Sequence, residues 1–124
     1  MNAHEDRARE FLLHMAEALD KILLYTEDVD RDAFWENSML QDAVIRNIAI
    51  VGEAAKQLQD AAPKFSREHP EIPFAHIYGM RNRVIHGYAT INLSLVWDTV
   101  QIDVPELRQA VIAILDATNS ESSS

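Results

Sequence analysis

Cysteine is absent from the 124-residue chain, which removes disulfide frameworks, thiolate zinc sites and cysteine nucleophiles. Glycine and proline are scarce, at three and four residues. Several apolar stretches run long without either, which disfavours a turn-rich sandwich or barrel and favours helices. No apolar run approaches the roughly 20 residues that a bilayer crossing needs. The polar start Met1-Asn2-Ala3-His4-Glu5-Asp6-Arg7 lacks the apolar centre of a secretion signal. A cytoplasmic protein with no membrane partner is expected. No phosphate-cradling glycine loop, Ser-His-Asp ordering or zinc signature is present. Nor is there a Glu-x-x-His pair of the kind that bridges metals in helical bundles, so neither a metal nor a cofactor is expected.

Basic side chains are also few, 11 against 20 acidic, for a net charge of −9. As a whole-chain average this argues against a nucleic-acid surface, whose usual footprint is a basic face, and DNA is not expected as a partner. Resolved along the chain, the charge is uneven. Residues 1–62 carry 6 basic and 13 acidic side chains, residues 93–124 carry one and five, and residues 63–92 carry four and two. The net-basic stretch also holds His69, His76 and His86.

What the chain does have is helical periodicity. With 48% hydrophobic and 25% charged residues it reads as one globular domain over 1–118, with 119–124 expected to be a disordered tail. Phe11, Met15, Leu19, Ile22 and Leu23 form one stripe of a helix from about His4 to Thr26. The Asp28–Asp32 run then breaks it, with Asp30 or Asp32 as the expected N-cap of the next helix. That second helix should run from Ala33 or Ser38 to Asp60. Its apolar positions Leu40, Val44, Ile48, Val51, Ala55 and Leu58, widened by Ala43, Ile45, Ala49, Ile50 and Ala54, imply cover on two sides. Pro63, Pro70 and Pro73 mark a connector with one short helical turn near Pro63–Arg67. A third helix from Phe74 to His86, ended by Gly87, and a last one from Leu93 to Ala117, kinked at Pro105, complete an all-α bundle of four to five helices.

The densest chemistry is Met80-Arg81-Asn82-Arg83-Val84-Ile85-His86-Gly87-Tyr88. On a helix, Asn82 and Arg83 share a side with His86, whereas Arg81 lies about 140° around the axis from it. Either the arginine stem reaches round, or the ring comes from a second copy of the helix. Arginine offers a permanent bidentate clamp for phosphate. Histidine moves a proton near neutral pH. Together they suit phosphodiester cleavage without a metal, the guanidinium stabilising the phosphorane charge and the imidazole handling the 2′-hydroxyl proton. Glu53, beside Gly52 inside an apolar helix, is expected to pair with Arg46 or Arg81 in a buried or interface position. Gly52 costs helix stability and fits best where another backbone comes close. Trp35 and Trp97 are expected as core or interface anchors.

Four stretches give the chain a family likeness. They are Leu40–Ile48 running into Ile50–Ala54, Ile72-Pro73-Phe74, Tyr78–Tyr88, and Val96–Val100 with Val104-Pro105-Glu106-Leu107 after it. In these the sequence resembles the HepT-like HEPN ribonuclease toxins, partners of minimal nucleotidyltransferase (MNT) antitoxins. The resemblance implies a HEPN-type helical bundle that pairs as a homodimer, with the motif helices facing a shared cleft. It implies a metal-independent endoribonuclease toxin of a type VII-like system acting on RNA. Arg81 and His86 would be the catalytic Arg-x4-His pair, with Asn82, Arg83 and Glu53 supporting. Tyr88 would be the tyrosine that the antitoxin silences by AMPylation. The alternative is a non-catalytic helical module that binds a nucleotide or docks on a nucleotidyltransferase, which needs Arg81 and Arg83 but no proton shuttle at His86.

Overall fold

The computed structural model describes residues 3–84 and 91–123. Every described element is helical: α1 (Ala3–Thr26), α2 (Arg31–Trp35), α3 (Ser38–Ala61), α4 (Pro63–Glu68), α5 (Phe74–Val84), α6 (Leu93–Asp98), a π-helical turn (Thr99–Asp103) and α7 (Val104–Ser123). None of these is long and apolar enough to cross a membrane.

The all-α expectation holds, and the segmentation is finer than four or five helices. Asp30 caps α2, its side chain accepting from the Ala33 N–H at 2.8 Å. Of the two expected starts of the second helix, Ser38 is the one α3 uses, because Asn37 caps it by accepting from the Leu40 N–H at 3.0 Å, and Arg31–Trp35 forms a separate short helix ahead of it. Asn is among the best N-caps, since its side chain satisfies a backbone donor that the helix leaves orphaned. Pro105 does interrupt the last helix. It cannot donate to the carbonyl four residues back, and its ring crowds that carbonyl. The chain widens just before it into a π turn, closed by the Val104 N–H on the Thr99 carbonyl, a common local accommodation of such a mismatch. Beyond it α7 continues to Ser123. The expected stop at Gly87 lies outside the described residues.

Four longer helices make the bundle. α3 packs on both α1 and α5, and α1 packs on α7, so the two-sided apolar face of α3 is used as its width implied. The buried stripe of α1 is Ala8, Leu12, Met15, Leu19 and Ile22, with Phe11 and Leu23 flanking it. It meets Val44, Ile48, Val51, Ala55 and Leu58 of α3 and Val104, Leu107, Val111 and Ile114 of α7. Phe34, fully buried, stacks 5.4 Å from Trp97 and 5.9 Å from Trp35, which makes both tryptophans core-packing anchors. α1 and α7 are tied by Arg9, which donates to the Leu115 carbonyl at 3.1 Å and to Thr118 Oγ1 at 2.7 Å. An Arg108–Asp20 ion pair joins the same two helices. α5 and α7 share no extensive contact and leave a cleft of about 560 Å³ between them.

Candidate functional site

α5 begins just after Pro73 and seats Phe74, Ile77, Met80 and Val84 in the core. That spacing fixes its rotation. Tyr78 and Arg81 fall along the seam with α3, while Asn82 and Arg83 are exposed.

The seam is unusually close at one point. A Cβ added at Gly52 would lie 2.5 Å from Arg81 Cβ and 2.8 Å from its Cγ, where carbon pairs prefer about 3.5–4.0 Å. Gly52 is therefore the notch in α3 that admits the arginine stem. The close approach expected at this glycine is real, but its partner is the root of the Arg81 side chain. From the notch, the guanidinium emerges with the side chain 30% exposed. Its Nη1 donates to Asn82 Oδ1 at 2.8 Å, and its Nη2 stands 3.8 Å from Glu53 Oε1. Its Nε is buried and has no acceptor among the described residues. The guanidinium is thus aimed by two neighbours while keeping donor capacity for an incoming oxyanion.

Asn82 was expected to support the catalytic pair from the side of the helix that it shares with His86. Among the described residues its amide oxygen holds Arg81, the neighbour before it, because α5 places the two side chains side by side at the surface. His86 and Tyr88 lie outside the described residues. Glu53 does pair with Arg81, yet it is not buried: its side chain is 49% exposed in the single chain, because the α3 residues that turn inward here are Val51, Gly52, Ala54 and Ala55. Arg46, the other expected partner, is exposed and lines a cleft of about 490 Å³ between α1 and α3 that also includes His14 and Glu53. Arg83 is exposed and makes no ion pair among the described residues.

Two further residues join the site that the motif alone did not single out. Lys56 Nζ lies 5.6 Å from the centroid of the Tyr78 ring and is 3.1 Å from Asp60 Oδ2. The hydrogen bond to Asp60, reinforced by that carboxylate's charge, raises the Lys56 ammonium above its ordinary pKa, so it stays cationic at any physiological pH. The usable signal was spacing. Tyr78 precedes Arg81 by three residues, and Lys56 follows Glu53 by three, so each shares a helical face with its neighbour. Which face met which depended on the register between two helices. The seam sets two cations, Lys56 and Arg81, against two carboxylates, Glu53 and Asp60, a locally balanced stretch on a strongly acidic chain.

The family profile "Ribonuclease HepT-like" matches residues 15–114, which takes in the seam, the motif and most of the bundle. A Thermococcus cleftensis protein named "Probable ribonuclease HepT" is 35% identical over 100 residues, covering 81% of this chain and 88% of its own. A Methanocaldococcus jannaschii protein provisionally named an RNase is 36% identical over 100 residues, covering 80% and 83%. A longer protein of the same archaeon, named as a gamma-glutamylcyclotransferase and provisionally as an RNase, is 36% identical over 106 residues; the match covers 86% of this chain but only 46% of that one. No solved structure matches.

Proposed function

The chain belongs to the ribonuclease HepT-like family, and from that membership we propose that it is an endoribonuclease working by general acid–base chemistry without a metal. The observation that carries the reading is the mounting of Arg81: its stem sits in the Gly52 notch, and its guanidinium is held at the surface by Asn82 and Glu53. A permanent cation fixed in direction is what stabilisation of a developing phosphorane requires. The remaining donors of the fork suit a phosphate.

In this reading the RNA phosphate enters beside Arg81. His86 transfers the proton of the attacking 2′-hydroxyl or of the leaving 5′-oxygen, since an imidazole is the side chain whose ordinary pKa suits both directions near neutrality. Asn82 holds the guanidinium. Arg83 adds long-range attraction for the backbone. Glu53 balances Arg81 in the empty site. Two copies of the chain would place their motif helices at one cleft, which removes the need for Arg81 and His86 of a single helix to meet. As the toxin of a toxin–antitoxin pair in the cytoplasm, the protein would be silenced by a nucleotidyltransferase antitoxin that adds AMP to Tyr88. The net-basic stretch 63–92, four basic against two acidic side chains on a chain of net charge −9, supports a narrow, salt-sensitive site for RNA.

The test is cleavage of a structured RNA in the presence of EDTA, together with growth arrest on induction. Wild type should cut and arrest growth, while Arg81→Ala and His86→Ala should do neither. Full toxicity in both variants would refute the catalytic assignment. Intact nucleotide affinity in His86→Ala, with no nuclease in the wild type, would favour the binding-module alternative.

A further inference from the structure

We propose that Tyr78 forms a nucleobase subsite next to Arg81: the α3–α5 seam takes a phosphate at the guanidinium and stacks the adjoining base of an unpaired RNA segment on the tyrosine ring. The inference rests on the ribonuclease reading above and gives its site a second point of contact.

The two helices meet antiparallel along this seam, Gly52 opposite Arg81 and Lys56 opposite Tyr78. Tyr78 and Arg81 are three residues apart on one helix, so they share a face and are separated by about 4.5 Å along the axis. A single-stranded chain bound by its phosphate at Arg81 therefore brings a flanking base within reach of the ring. Tyr78 is half-buried, so the ring is held by the bundle and loses little freedom on stacking. The group over the ring is the Lys56 ammonium at 5.6 Å, carried on a flexible stem whose other partner, Asp60, is itself exposed. When a base arrives, the ammonium can move from the ring to a phosphate oxygen. Cation and aromatic side by side are the two elements that sequence-tolerant binding of single strands uses.

Other aromatic side chains among the described residues fit this role less well. Phe34 and Trp97 stack on each other in the core, and Phe65 and Phe74 are buried. Trp35 lies under the Arg31 guanidinium, but it stands between Asp32 and Glu36. Tyr25 is 39% exposed, yet it is followed by Glu27 and Asp28. Carboxylates at those places repel a phosphate backbone, and Phe11, under the Arg7 guanidinium, lies on α1 away from the motif helix; Tyr78 sets a half-buried ring beside Lys56 on the same helix as Arg81. A stacking platform also selects unpaired RNA, because bases inside a duplex already stack on one another and expose no face.

Equilibrium binding of a short 2′-O-methyl RNA, which cannot be cut, separates this inference from catalysis. The wild-type chain should bind it about 5- to 150-fold more tightly than an all-abasic ribose–phosphate oligomer of equal length, the range that base–aromatic stacking supports. Tyr78→Ala should lose that same factor on the base-bearing oligomer and nothing on the abasic one, while Tyr78→Phe should bind like wild type. Equal wild-type affinity for the two oligomers would overturn the proposal without any variant. An equal loss by Tyr78→Ala on both would also overturn it, since that is the mark of a purely structural residue. Absence of cleavage of unmodified RNA, with the base-dependent binding intact, would instead sink the ribonuclease reading and leave the subsite standing.

Discussion

Replacing Gly52 by alanine tests the geometry on which the whole site depends. The new methyl would sit 2.5 Å from Arg81 Cβ and 2.8 Å from Cγ, about 1 Å or more inside comfortable carbon–carbon contact. Cβ moves only with the α5 backbone, so no rotation of the arginine side chain relieves the closer of the two contacts. Overpacking of this kind costs about 1–3 kcal/mol. Against it stands a gain of about 1 kcal/mol from removing a mid-helix glycine. The net change in unfolding free energy should therefore be a loss of about 0–2 kcal/mol, well short of unfolding a domain. Function should suffer far more, because a guanidinium displaced by about 1 Å can cost about 100-fold in kcat/KM.

The assay pairs thermal melts with RNA cleavage in two backgrounds. In wild type, Gly52→Ala should be neutral to destabilising and nearly inactive. In an Arg81→Gly background the obstructing atoms are gone, and the same substitution should stabilise by about 1 kcal/mol. A melt raised by Gly52→Ala in the wild-type background, with cleavage retained, would refute the notch.

Glu53→Gln should scarcely change the melt, since an exposed pair at 3.8 Å contributes little. It should tighten RNA binding several-fold at low salt, because the charge facing the guanidinium is gone while the amide oxygen can still accept from it, an effect that fades as salt is raised; binding unchanged at low salt would contradict this charge opposition. Glu71 has its carboxyl pKa lowered, first by its 2.9 Å hydrogen bond with His69. A depressed carboxylate contributes stability above its unfolded pKa and loses it as pH falls through the folded one. The difference in melting temperature between wild type and Glu71→Gln should thus be present near pH 6 and close below about pH 4; a difference that instead grows on acidification would contradict the pairing.

Much of the bundle was legible in the sequence, because burial imposes a period that residue order records. The ends of α1, the Asp30 cap, the short helix after Pro63 and the two-sided α3 could all be read from single segments. The misses share a different cause. Gly52 and Arg81, or Lys56 and Tyr78, meet only through the register of one helix against another, and no local pattern encodes that register. The spacing offered Ala33 or Ser38 as one start; both lie in helices, and the Asn37 cap that separates α2 from α3 was not read.

The π turn at Thr99–Asp103 also sets the phase of everything that follows it. In a regular α-helix the run Val96, Val100, Val104, with steps of four, would drift about 80° round the axis. The underwound turn takes up that drift, which is how all three valines can be buried, each at 1% exposure or less. Tightening of this turn to ordinary pitch with all its residues kept would swing α7 by about 80°. The Leu115 carbonyl that receives Arg9 and the Arg108 that meets Asp20 would then point elsewhere. The clasp between the first and last long helices is therefore set by the winding of a five-residue segment whose own side chains make neither bond.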